Sequence, residues 1–172
     1  MIAVRKALIA STVALIVAAV LAPSALAAQQ YQDSVSGVEV SATSTEGVFA
    51  GTASGDLPGL WAADVLHTPL SGSPESATIT GGTFDLLTQY HNLYTDITGT
   101  FSGGSVVQTA GFTGCVDQVY AVTGQLVDVG VLGKPDHGTG AFDATLIHHR
   151  ILLNGNCVIY AATITGIVTL DF

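Results

Sequence analysis

The sequence predicts an all-β fold: an antiparallel barrel of about eight strands, with a β-sandwich as the alternative. Three observations carry this. A Thr-Gly unit recurs within apolar alternation, at Thr80-Gly81-Gly82-Thr83-Phe84, Ile97-Thr98-Gly99-Thr100-Phe101, Val122-Thr123-Gly124-Gln125-Leu126, Gly138-Thr139-Gly140-Ala141-Phe142 and Ile164-Thr165-Gly166-Ile167-Val168. Turn residues punctuate the chain at regular intervals. Beyond the first segment no stretch has helical periodicity, and Val, Ile and Thr far outnumber Lys, Arg and Glu. Side chains of an extended chain alternate faces, so Ile97, Gly99 and Phe101 share one, as do Val122, Gly124 and Leu126, and Ile164, Gly166 and Val168. A glycine between two large residues on an apolar face marks a strand that bends over a core. Bending in strand after strand favours the barrel.

Residues 1–27 read as a secretory signal peptide. Arg5 and Lys6 give a basic start, Ala7 to Leu21 is an apolar run, and Ala25-Leu26-Ala27 supplies a small-x-small cleavage site. The run is short for a membrane span, which needs about 20 apolar residues. This makes the chain secreted, with membrane contact only through the signal, and leaves residues 28–172 as one domain of a size able to bury a core. The whole chain has formal net charge −9, and loss of Arg5 and Lys6 deepens it by two, to −11, with Lys134 and Arg150 the remaining Lys and Arg. Such a surface repels phosphate backbones and excludes nucleic acid as a partner. Two cysteines in an exported chain predict one disulfide, Cys115–Cys157.

Along the mature chain, Gln29 to Ser34 is polar and reads as loose. Val35 to Thr43 alternates as a first strand with Val38 and Val40 on one side. Gly47 to Gly55 is the second strand. Asp56-Leu57-Pro58-Gly59 is a turn, because Pro presets φ and Gly accepts a positive one. Leu60 to Thr68 is the third strand, followed by a Pro-rich loop from Pro69 to Glu75. Ala77 to Gln89 is a long strand with a bulge or bend at Gly81-Gly82. Tyr90 to Tyr94 reads as a short connection, and Thr95 to Thr109 as a strand broken at Gly103-Gly104. Cys115 to Val131 continues the pattern up to a loop at Gly133 to Gly138. Thr139 to Leu153 and Cys157 to Phe172 form a hairpin about Asn154-Gly155-Asn156, since Asn-Gly tolerates left-handed φ. Tyr160, Ala162, Ile164, Gly166, Val168, Leu170 and Phe172 lie on one apolar face of the last strand, which pairs with an early strand if the barrel closes.

Candidate site residues are few. His148, His149 and Arg150 form the densest polar cluster, and adjacent histidines on a strand face opposite ways, so they do not share a metal. His148 shares the face of Phe142, Ala144 and Leu146. If that face lines the interior, His148 and Arg150 point inward, and Arg150 is a cation for a ligand carbonyl or buried anion. Tyr120 and Asp117 lie near Cys115, where they reach a pocket or pair across strands. Trp61, just after a turn, plugs a barrel end or caps a ligand. Asp136-His137, Asp64 with His67, and Tyr90-His91 have no recognised ligand spacing. No nucleophile elbow, P-loop or dinucleotide pattern occurs. No metal or cofactor is called for.

The Gly138-Thr139-Gly140-Ala141-Phe142 run, followed by Asp143-Ala144-Thr145, resembles the late strand of the dirigent and allene-oxide-cyclase-like barrels. That resemblance implies an exported eight-stranded barrel steering reactive intermediates in an apolar cavity. The Gly51-Thr52-Ala53-Ser54-Gly55-Asp56-Leu57-Pro58-Gly59 opening is similar to that of small secreted actinobacterial proteins of unassigned activity. The repeated Thr-Gly units also resemble the streptavidin-type barrels, but those surround biotin with several tryptophans, and this chain has one. With no catalytic signature, a non-enzymatic exported barrel leads, its partner a small apolar molecule or a cell-envelope component. The alternatives are a cofactor-free cyclase, isomerase or dirigent-like enzyme in the same cavity, and a structural or interaction module of the envelope.

Overall fold

The computed structural model describes residues 28–134 and 137–172. The expected signal peptide and Asp136 lie outside them. Eight strands follow one another, β1 Gln30–Ala42, β2 Glu46–Gly55, β3 Gly59–His67, β4 Ser76–Tyr90, β5 Leu93–Ala110, β6 Gln118–Val131, β7 Gly138–Leu153 and β8 Asn156–Asp171. Each pairs antiparallel with the next, and β8 returns to β1, closing the barrel. Closure leaves no edge strand unpaired.

The Thr-Gly units face inward as expected. Ile97, Phe101, Val122, Leu126, Ile164 and Val168 are all buried. The physical reason for the glycine between them is visible at Gly124, where a Cβ would come within 2.7 Å of Phe101 Cε1. The missing side chain lets a ring from the next strand lie against the wall. The bends fall at Gly82 and Gly104, whose φ values of 124° and 141° suit glycine. Pairing of β4 with β5 breaks off between Thr78 and Thr83.

Four expectations are corrected. Gln29 to Ser34 is not loose, because β1 begins at Gln30 and pairs with β8 from Gln30↔Asp171 onward. Tyr31 and Asp33 are buried there. The inner face of β1 accordingly carries Tyr31, Asp33, Val35 and Gly37, and Val38 and Val40 are exposed. Gly37 is the key to this register, since a Cβ there would meet Trp61 Cζ2 at 2.9 Å. The connection expected at Tyr90 to Tyr94 shrinks to His91 and Asn92, both at positive φ, as a two-residue hairpin turn requires. On β8 the apolar face runs from Ala162, but Tyr160 is exposed, because the register shifts between His149↔Ala161 and Arg150↔Ile159 and leaves Tyr160 as the extra residue of a bulge.

Cys115 and Cys157 are disulfide-bonded, with Cα atoms 5.5 Å apart. Cys115 lies in the loop ahead of β6 rather than within the strand, so the bond ties that loop to β8. A disulfide is consistent with an extracellular protein.

Candidate functional site

The up-and-down order gives the barrel two distinct ends. One gathers the start of β1, the end of β8, the turns at 56–58 and 91–92, and the described residues that follow β6 and precede β7. The other gathers the turns at 43–45, 68–75, 111–117 and 154–155.

The first end is closed. Tyr31 packs on Phe172 with ring centroids 5.0 Å apart, and its hydroxyl meets that of Tyr90 at 3.1 Å. Burial and this contact hold the Tyr31 hydroxyl protonated, raising its pKa to about 12. Leu57 tucks inward beside them, and its N–H donates to Asp33 Oδ1 at 2.9 Å. The other carboxyl oxygen, Asp33 Oδ2, is buried with no hydrogen-bond partner. Burial raises the pKa of this carboxyl.

The second end is open. A cavity of about 250 Å³ descends from it to the middle of the barrel. Its floor is aromatic: Trp61 and Phe142 meet at 5.9 Å between centroids, and Phe101 packs edge-on against Phe142. Trp61 is therefore the floor of a cavity and not an end plug. Its indole N–H donates to the Ser36 carbonyl at 3.2 Å, which fixes the ring across the barrel. Val65, Ile79, Val106, Val122 and Leu146 continue the apolar wall.

Polar groups collect at the rim. Glu39, Glu46, His67 and His148 all line the cavity. Glu39 points inward because it continues the odd-numbered face of β1, and Gly47 on β2 leaves room for its carboxylate. His148 Nε2 is 3.4 Å from Glu39 Oε2, and both side chains are largely buried. The pair is in contact but not aligned for a hydrogen bond, and His148 Nε2 has no hydrogen-bond partner. His67 Nδ1 donates to the Thr68 carbonyl at 2.7 Å, which leaves Nε2 as the acceptor of the neutral ring.

Tyr120 lines the cavity below His148, with ring centroids 5.2 Å apart. Its hydroxyl donates to Glu75 Oε2 at 2.7 Å. Burial, and then the Glu75 carboxylate, push its pKa well above the ordinary phenol value. This bond and the exchange of main-chain and side-chain bonds between Glu75 and Gln108 hold the 68–75 loop against the rim.

Of the residues singled out from sequence, the structure gathers His148, Tyr120 and Trp61 around one cavity. Arg150 does not join them. It follows His148 on β7 beyond the rim and is absent from the lining, although its charge acts on Tyr120. Its backbone N–H donates to Asp117 Oδ1, and His149 bonds the other oxygen of Asp117 on the outer surface. These bonds hold the Asp117 carboxyl below the usual range, with the Arg150 N–H the larger cause. Among the described residues, no group of three or more His, Cys, Asp or Glu is placed to hold a metal ion. Sequence reasoning missed Glu39 and Glu46 and set His67 aside as a surface residue. The alternation of Tyr31, Asp33, Val35 and Gly37 was the available signal for Glu39.

No protein-family model, curated protein or solved structure matches this chain.

Proposed function

We propose that this protein is an exported binding protein that holds a small apolar molecule inside its barrel. The observation that supports this best is the cavity of about 250 Å³, apolar along its wall and floor and polar at its mouth. That division is the usual build of a small-molecule site, where apolar surface supplies affinity and a few polar groups set orientation. An eight-stranded barrel can instead be filled by its own side chains. The hollow upper half is why a packed envelope module is the weaker reading.

The test uses Trp61, the single tryptophan of the chain, as a built-in reporter. Titration of the mature, disulfide-intact protein with a neutral apolar probe such as 2-phenylethanol is expected to shift Trp61 emission saturably. Enlarging the wall at Ala63, a buried lining residue, to Leu is expected to abolish the shift, and Val122→Phe gives an independent block. Absence of any saturable change with wild-type protein overturns the reading.

A cofactor-free enzyme is the second reading, favoured by the contact of His148 with Glu39. An imidazole beside a carboxylate at the edge of an apolar cavity is an arrangement suited to general acid–base catalysis. On this reading His148→Ala abolishes turnover of a bound substrate and leaves its affinity intact.

A further inference from the structure

We propose that the molecule held in this cavity is a small apolar amine, its carbon frame on the aromatic floor and its ammonium group at the Glu39 end of the rim. This rests on the cavity-binding reading above and names the ligand class for the same site.

The chemistry of the lining carries the inference. One carboxylate, Glu39, lies on the inward face at the rim, while Glu46, paired with exposed Leu66, is on the outer face of β2, and no Lys or Arg lines the cavity. Among the described residues the two Lys and Arg are Lys134, in the β6–β7 connection at the opposite end, and Arg150. Arg150 acts on Tyr120, which is already bonded to Glu75. A carboxylate or phosphate head group entering here would meet Glu39, with no lining Lys or Arg to offset it and His148 already 3.4 Å from that carboxylate, so anionic ligands are disfavoured. An ammonium group finds the reverse. Glu39 is buried enough for a charge pair to act with little screening, and its one ionic contact among the described residues, His148, is not aligned as a hydrogen bond. His67 offers a further acceptor in Nε2. The rings of Trp61, Phe101 and Phe142 suit the apolar frame.

The volume limits the size. An apolar cavity of about 150 Å³ holds benzene, so one of about 250 Å³ takes a ligand of roughly ten heavy atoms by proportion. That fits one ring with a short aminoalkyl arm.

The experiment compares three probes of matched shape, 2-phenylethylamine, 2-phenylethanol and phenylacetate, on the mature disulfide-intact protein at neutral pH, by Trp61 fluorescence and calorimetry. The amine is expected to bind about tenfold tighter than the alcohol, and phenylacetate more weakly than either. Glu39→Gln is expected to erase the amine advantage and leave the alcohol affinity unchanged, and Glu39→Ala serves should that variant fail to fold. Equal binding of amine and alcohol, or preference for phenylacetate, overturns the proposal while the cavity-binding reading stands. Failure of all three probes removes both.

Discussion

The two ends of this barrel are built from the same eight hairpin-linked strands and finished in opposite ways. At the closed end Tyr31, Tyr90 and Phe172 meet ring against ring, and Leu57 is buried from the turn between β2 and β3. At the open end the rim positions carry Glu39, His67 and His148, with the mouth of the cavity between them. The closed end spends its side chains on packing. The open end is held instead by ties to its loops: the Cys115–Cys157 bond, and the clamp of Tyr120 and Gln108 on Glu75. Stability and hollowness are thus assigned to different halves of one sheet.

The largest test of that division is removal of the disulfide. It closes a loop with a sequence separation of 42 residues, for which chain entropy gives about 4 kcal/mol. A Cys115→Ser, Cys157→Ser double variant is expected to lose about this much in denaturant unfolding, since the open end has little packing to replace it. A loss under about 1 kcal/mol would mean that the rim is held by its hydrogen bonds alone.

The next test compares matched truncations. Leu86 is fully buried in the lower half, whereas Leu146 borders the cavity. Leu86→Ala is expected to cost about 3 kcal/mol, and Leu146→Ala about half that, because a side chain beside a void has fewer contacts to lose. Equal costs would argue that the cavity wall is as tightly packed as the closed end.

The smallest effect concerns Asp33, the one polar flaw in the closed end. Its folded pKa is raised by burial, so the native state favours the protonated acid. The penalty is present above the folded pKa and is relieved as pH falls through it, because the native state then holds more protons than the unfolded chain. Asp33→Asn is expected to stabilise the protein by about 1 kcal/mol at neutral pH, with the gain shrinking as the pH is lowered. A gain independent of pH would show that the carboxyl is not the source.

The sequence spoke clearly where one local rule acted alone. The inward Thr-Gly units, the Asn154 turn, the bends at Gly81-Gly82 and Gly103-Gly104 and the Cys115–Cys157 pair were all readable, since each rests on backbone freedom, alternation or redox chemistry confined to a few residues. Trp61, Tyr120 and His148 were readable as candidates because they stand out by type on apolar strands. The first strand was not. Its face is decided by Gly37 making way for Trp61, a residue 24 positions later, and a one-residue change of face moves every side chain across the sheet. Val38 and Val40 could be put on one side of the strand but not assigned to the inside or the outside, and Glu39 went unseen. Arg150 and Tyr160 fell beside the bulge of β8, a feature that depends on how two strands pair and leaves no mark on either alone.

The aromatic seal of Tyr31, Tyr90 and Phe172 also decides traffic. It packs the barrel beneath the cavity, so that on the binding reading proposed above an occupant would arrive and depart by one door, past Glu39 and His148. On that reading the deep contacts at Trp61 and Phe142 would govern how tightly an occupant is held, and the rim, with the 68–75 loop clamped by Tyr120, would govern how often it is exchanged.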